Sequence, residues 1–111
     1  MSQSILNAGT YAELGEAMGA DFAAELVTTF LSEAPSMMAN LKAASADADA
    51  DGYRRAAHSI KSNAEIFGAH ALADMCRTME VSGLHDDAPS IEDIEAIMLQ
   101  TETALRGLLD E

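Results

Sequence analysis

The sequence YRRAAHSIKSNAEIFGA, from Tyr53 to Ala69, is the stretch around which the rest of the chain is organised. Successive residues of an α-helix are rotated by about 100° around its axis, so residues three or four positions apart share a face. Along this stretch Lys61 lies beside His58, whereas Ile60 and Phe67 lie on the opposite side. The pattern predicts an amphipathic helix that exposes His58 and packs its apolar face against other helices.

The composition favours one compact helical domain. The 111 residues are enough for a domain with its own core, and 49% of them are hydrophobic. Only 5% are aromatic and tryptophan is absent, so alanine, leucine, isoleucine and methionine must fill the core. These residues suit helix packing better than a β-sandwich. We therefore expect residues 1–111 to form a single domain, with residues 1–9 as a loose N-terminal lead-in.

The charge of the chain restricts its partners. Nineteen acidic residues outnumber six basic ones, which gives a formal net charge of −13. Such a surface repels phosphate backbones and anionic lipids, so neither nucleic acid nor a membrane is an expected partner. Half of the basic residues, Arg54, Arg55 and Lys61, nevertheless lie within four positions of His58. The sequence thus predicts a local positive surface around this histidine.

Cysteine usage and hydropathy favour a cytoplasmic location. The single cysteine, Cys76, excludes an internal disulfide and is compatible with a reducing compartment. It falls on an apolar helical face, so we expect a buried and inert thiol. The chain has no signal-peptide pattern and no apolar run of about 18 residues, so no membrane span is expected.

Two helices are predicted before the central one. The capping-box pattern of residues 10–13 predicts the start of a short helix that Gly19 ends. Asp21 is the expected cap of a second, much longer helix that runs to about residue 46. Its apolar positions recur every three or four residues: Phe22, Leu26, Phe30, Ala34, Met37, Leu41, Ala44 and Ala48. Because this stripe keeps its phase across Pro35, the proline should kink the helix without breaking it.

Two more helices are predicted after the central one. The first extends from about Ala69 to Ser82 and ends at Gly83. Ser90 begins a capping pattern for the last helix, whose apolar residues recur at spacings of three and four. Four substantial helices with short connections predict an all-α fold, an antiparallel four-helix bundle with a short additional N-terminal helix.

The sequence predicts no metal site. Asp47, Asp49 and Asp51 alternate as in an EF-hand, but His58 occupies the position of the glutamate that closes a calcium loop. These aspartates are better explained by a turn whose charges favour the N-terminus of the next helix. The histidines and the cysteine also lack the helical spacings of a zinc or di-iron site.

His58 is a candidate nucleophile. Imidazole is close to neutral at cellular pH, and its unprotonated nitrogen can attack a phosphoryl group held by another protein. The product would carry close to two negative charges, which Lys61, Arg54 or Arg55 could offset. The ordinary alternative is an exposed histidine with accidental basic neighbours. The clustering of cations in a strongly acidic chain disfavours that alternative.

The segment AHSIKSNAEIFGA, residues 57–69, resembles the signature of histidine phosphotransfer (HPt) domains, which is roughly AHxLKGS(S/A)xxxGA. The residues that match outright are Ala57, His58, Lys61, Ala64, Gly68 and Ala69, and Ile60 replaces leucine. Upstream, FLSEAPSMMANL resembles the kinked second helix of the family. Downstream, ALADMCRTME resembles its LxxxCxxLE segment. The resemblance covers most of residues 21–83.

The resemblance implies a phosphocarrier without turnover of its own. His58 would accept a phosphoryl group on Nε2 from an aspartate of one receiver domain and pass it to an aspartate of another. Lys61 would stabilise the phosphoryl charge. The receiver, in a response regulator or a hybrid histidine kinase, would supply Mg²⁺ and most catalytic groups, so no cofactor is expected on this chain. A monomer is expected.

Four residues near His58 are the expected partner contacts. Arg54 and Arg55 lie one turn before it, and Ser62 lies one turn after it. Ser62 replaces the glycine that is usual in the family, but its side chain is small enough to leave room for a docked protein. Glu65 lies on the His58 side about 10 Å along the axis, so it should modulate the surface without touching the ring.

A second function remains open from the sequence. The chain has no glycine-rich nucleotide loop, which disfavours a kinase that uses ATP. A non-catalytic helical adaptor could dock on a kinase or receiver without carrying phosphate. In that case His58 would be one contact among several.

Overall fold

The computed structural model describes residues 5–84 and 89–109, which form five α-helices. Their bounds are Ala8–Met18 (α1), Ala20–Ala46 (α2), Ala50–Ile66 (α3), His70–Ser82 (α4) and Ile91–Leu109 (α5). Helix α3 packs against α2 and α4, α5 packs against the same two helices, and α1 packs on α2. The predicted antiparallel four-helix bundle with an additional N-terminal helix is confirmed. None of the helices in these ranges is long and apolar enough to cross a membrane.

The first helix begins earlier than its capping-box pattern predicts. The N-cap is Asn7, whose side-chain oxygen accepts hydrogen bonds from the backbone of Gly9 at 2.9 Å and of Thr10 at 3.3 Å. Asparagine is as good an N-cap as serine or threonine, so the helix starts at Ala8 rather than at Thr10. Leu6 is buried, so the expectation of a loose lead-in is wrong for residues 5–9. Residues 1–4 lie outside the described ranges.

Helix α2 continues through Pro35, as predicted, and the proline is exposed. Asp21 does not cap it. Gly19 occupies the N-cap position, and Asp21 lies in the first turn, where its charge favours the helix dipole. The buried stripe also differs from the predicted one. Phe22 is 41% exposed, because the smaller side chains of Ala23 and Val27 face the core instead.

The acidic turn before α3 ends in a helix cap. Asp49 is the N-cap, and its carboxylate accepts a hydrogen bond from the backbone of Gly52 at 3.0 Å. Helix α3 therefore starts at Ala50, ahead of the predicted Tyr53. At the start of α5, Ser90 is the predicted cap, since its hydroxyl accepts a hydrogen bond from the backbone of Asp93 at 3.1 Å.

The apolar face of α3 is fully used in the core. Ala57, Ile60 and Ala64 have no exposed surface. Beyond the end of α3, the ring of Phe67 packs edge-on against Phe30 of α2, with ring centroids 5.8 Å apart. With this face buried, α3 cannot rotate, and the opposite face that carries His58 is held towards solvent.

The turn between α3 and α4 is closed by Gly68. Its φ of +66° lies in the left-handed region, which glycine adopts without strain. A β-carbon on Gly68 would lie 2.8 Å from both the Asn7 β-carbon and the Thr10 hydroxyl. The Gly68 carbonyl also accepts a hydrogen bond from the backbone of Asn7 at 2.9 Å. The first helix and the turn are therefore in direct contact.

Gly68→Ala should destabilise the fold by about 1–3 kcal/mol, because alanine would adopt a left-handed conformation and collide with Asn7 and Thr10. Urea unfolding followed by circular dichroism measures the change. Gly107→Ala is the matched control, since a β-carbon there meets no atom within 4 Å. Gly107 lies inside α5, so its replacement by alanine should raise the free energy of unfolding by about 0.5–1 kcal/mol. Equal stability of the Gly68 variant and the native chain would refute the tight packing described for this turn.

Candidate functional site

The candidate site is formed by the hairpin of α3 and α4. Because the turn between these helices is short, they lie side by side and antiparallel. His58 and Glu80 lie at equal distances along the chain before and after Ala69. Their side chains meet across the hairpin. Lys61, one turn after His58, reaches the same glutamate.

Glu80 bridges the histidine and the lysine. Its Oε2 lies 3.2 Å from His58 Nδ1, and its Oε1 lies 2.8 Å from Lys61 Nζ. The His58 side chain is 60% exposed, whereas those of Glu80 and Lys61 are 23% and 19% exposed. The ring therefore projects into solvent from a mostly sheltered ion pair.

The ionisation of Glu80 determines the tautomer of His58. Burial alone would raise the pKa of Glu80, but the hydrogen bonds and charges of Lys61 and His58 outweigh burial and lower that pKa below its ordinary value of 4.5. Glu80 is thus a carboxylate at neutral pH and can only accept hydrogen bonds. His58 Nδ1 must therefore carry the ring proton, and this N–H donates a hydrogen bond to Glu80 Oε2. In the neutral ring the lone pair then lies on Nε2, on the far side from Glu80.

Cys76 lies one turn before Glu80 and is fully buried. Burial and the nearby charge of Glu80 raise the pKa of its thiol to about 12, although Lys61 acts in the opposite direction. Because the thiolate is the reactive form, this cysteine is inert at neutral pH. The predicted buried thiol is confirmed.

The three cations near His58 in the sequence have different neighbours in the structure. The Arg54 guanidinium lies against Gly83, at the C-terminal end of α4, where a β-carbon on the glycine would be 2.9 Å from it. Arg55 lines a polar cleft of about 370 Å³ between α2 and α3, together with Asp47 and Asp49. Of these three cations, Lys61 is the one that shares a described ion-pair partner with His58, namely Glu80.

The remaining predicted contacts lie on the exposed face of α3. Ser62 and Glu65 are both exposed. Neither has a hydrogen bond or ion pair to His58 among the described contacts. In the same ranges no cluster of histidine, cysteine, aspartate and glutamate has the geometry to hold a metal ion.

Helical periodicity assigns no role to Glu80. Its distance from His58 along the chain conceals the contact, because helical periodicity describes one helix at a time. The available signal was the short α3–α4 turn, since residues placed symmetrically about the centre of a helical hairpin come close in space. Glu80 also closes the ALADMCRTME segment that resembles the HPt family.

The arrangement provides one exposed nucleophilic nitrogen, a carboxylate that fixes the ring, and an adjacent ammonium group. His58 lines none of the three described cavities. An exposed nitrogen of this kind can react with a group that another macromolecule presents to it.

Comparison with known proteins identifies the family. The family described as Hpt domain matches residues 25–111. Among solved structures, histidine-containing phosphotransfer protein B (HptB) from Pseudomonas aeruginosa PAO1 superimposes with a TM-score of 0.86. The sequences are 30% identical, and the alignment covers 96% of this chain and 95% of that one. A comparison with curated protein sequences gives no match. The family match and the shared fold show that the chain belongs to the Hpt domain family, whose members are phosphotransfer carriers that work with receiver or kinase partners in two-component phosphorelays.

Proposed function

We propose that His58 accepts a phosphoryl group from the aspartate of one receiver domain and passes it to the aspartate of another. The observation that carries this proposal is the contact between His58 Nδ1 and the ionised Glu80, which leaves Nε2 exposed with its lone pair. Family membership supports the carrier role, and the geometry supports the residue and the atom.

The transfer step needs no proton to leave the site. The Nε2 lone pair forms the bond to phosphorus while the bond from phosphorus to the aspartyl oxygen breaks. The electron pair of that broken bond stays with the aspartate as a carboxylate. The ring becomes a phosphoimidazolium that keeps its Nδ1 proton, and the negative charge of Glu80 stabilises the positive ring, as the aspartate of a catalytic triad stabilises its histidine. The reverse sequence delivers the phosphoryl group to the second receiver.

Lys61 has two roles in this proposal. In the free protein its ammonium group balances the charge of Glu80 across 2.8 Å. When a phosphoryl group arrives on Nε2, the flexible lysine side chain turns towards the new oxygens, which carry more negative charge than Glu80. The receiver supplies Mg²⁺ and the remaining charge stabilisation, so the chain itself needs no cofactor.

The receiver docks on the exposed face of α3. Ser62 is small and exposed, so it leaves room for the receiver next to the ring, and the exposed Glu65 lies further along the same helix. Arg54 and Arg55 lie on the turn before His58, where they can contact acidic groups of the partner. One receiver occupies this face at a time, and the chain acts as a monomer.

His58→Gln should abolish phosphorylation, because glutamine has no nucleophilic nitrogen. The native protein is incubated with a receiver that carries radiolabelled phosphate, and we expect transferred label that is labile in acid and stable in base. The matched control is His70→Gln, an exposed histidine at the start of α4, which should retain transfer.

Label that persists in His58→Gln would refute the assignment of His58. Receiver binding is measured in parallel by titration calorimetry. A native chain that binds the receiver but never takes up label would instead be the non-catalytic adaptor considered from the sequence.

Lys61→Ala should slow transfer by roughly tenfold to hundredfold, because one positive group that stabilises the phosphoryl charge is lost. Rapid-quench kinetics with labelled receiver measure the rate. Lys42→Ala is the control, since Lys42 also forms an ion pair with a glutamate, Glu95, at 2.6 Å, but on α2. If both variants slowed transfer equally, the effect of Lys61 would be one of net charge alone.

Glu80→Gln should make stability less dependent on pH. The pKa of Glu80 is lowered in the folded state. The ionised carboxylate therefore stabilises the fold above the ordinary pKa of glutamate, and this stabilisation is lost as the pH falls through the lowered pKa. The free energy of unfolding of the native chain should exceed that of the variant by about 1 kcal/mol at neutral pH, and this difference should shrink below pH 4.5. Urea unfolding across this pH range measures it.

Glu65→Gln is the control for Glu80→Gln. This substitution removes the same charge, but from an exposed position on the neighbouring helix. Nitrogen NMR of the imidazole gives a second readout. The native ring should carry its proton on Nδ1, and Glu80→Gln should increase the other tautomer. An unchanged tautomer ratio would show that Glu80 does not orient the ring.

A further inference from the structure

A groove lies between α2 and α5. Two adjoining concave regions of about 480 Å³ and 360 Å³ share the side chains of Met38, Met98, Glu95 and Glu102. Their combined lining extends along α5 from position 92 to position 102. This corresponds to about 15 Å, or roughly three helical turns.

The floor of the groove is apolar and adaptable. Met38 and Met98 are 9% and 2% exposed, so both belong to the core and also close the bottom of the groove. Leu99 stands at its edge and is 61% exposed, so the apolar surface of the groove continues onto the outer face of α5. Methionine side chains change rotamer easily and recur in grooves that accept apolar anchors from a helix.

The rim of the groove is acidic. Glu92, Glu95 and Glu102 line it from α5, and Lys42 is the one cation among its described lining residues. Lys42 forms an ion pair with Glu95, so two of the three carboxylates are left in excess. In a chain of net charge −13, this rim attracts cations and repels acidic surfaces.

The groove and His58 lie on opposite sides of the bundle. Helices α3 and α5 each pack against both α2 and α4, which places them diagonally across the core. A partner in the groove would contact α2 and α5 and leave the exposed face of α3 open.

We propose that this groove binds a cationic amphipathic helix of a partner protein, with apolar side chains seated on Met38 and Met98 beside Leu99, and lysine or arginine residues paired with Glu92 and Glu102. The length of the groove matches about three turns of helix. A second copy of this chain would bring the same acidic rim against itself, and an anionic lipid surface would be repelled.

The probe is a fluorescein-labelled leucine–lysine peptide of about four helical turns, with its leucines at helical spacing. Fluorescence anisotropy with the full-length native chain measures its affinity. Leu99→Ala should weaken binding by roughly fivefold. Val81→Ala is the matched control, because Val81 is 81% exposed on α4, away from the groove. It should leave the affinity unchanged.

The acidic rim is tested by a double substitution. Glu92→Gln with Glu102→Gln should weaken peptide binding by roughly threefold or more. Glu13→Gln with Glu16→Gln removes the same charge from exposed positions on α1 and should have a much smaller effect. Equal losses for the two pairs would show attraction by net charge alone and would overturn the proposal.

The location of the peptide is tested by amide NMR. Addition of the peptide should shift signals along positions 92–102 and the facing part of α2. Shifts confined to the His58 face would overturn the proposal. A native dimer in sedimentation experiments that is lost in Leu99→Ala would also overturn it, because the groove would then be occupied by a second copy of the chain. Tight binding of a leucine–glutamate peptide of the same pattern would also contradict it.

Discussion

The short turn between α3 and α4 is the constraint on which the site depends. Gly68 adopts a left-handed conformation and allows the chain to reverse within a few residues. The reversal fixes the register of the two helices, so residues equidistant from Ala69 face each other. One additional residue within α4 ahead of Glu80 would rotate Glu80 by about 100° relative to the start of that helix and remove it from His58. The exposed face of α3 would remain, but the ring would lose the carboxylate that selects its tautomer.

Much of the fold could be predicted from the sequence, because helical periodicity reports which face of each helix is buried. The helices, the continuation of α2 through Pro35 and the exposure of His58 follow from this pattern. The predicted stripe is wrong at the start of α2, because Phe22 and Ala23 are both apolar and spacing alone does not decide which of them faces the core. Phe22 is 41% exposed, whereas Ala23 is buried.

The candidate site could be predicted only in part. Periodicity identifies neighbours on one helix, so Lys61 was found and Glu80 was missed, since a contact between helices depends on register. The three cations near His58 are close along the chain, but their side chains contact different groups. Lys61 turns to Glu80, Arg54 to the end of α4, and Arg55 to the cleft with Asp47 and Asp49. Their proximity along the sequence does not reveal which group each side chain contacts.

The hydrogen bond between Asn7 and the Gly68 carbonyl makes the first helix part of the hairpin. Asn7 also caps α1, so one residue holds both the outermost helix and the turn that sets the site. Free-energy coupling of this kind is reciprocal. Whatever orders α1 also tightens the turn, and whatever fixes the α3–α4 hairpin reduces fraying of α1.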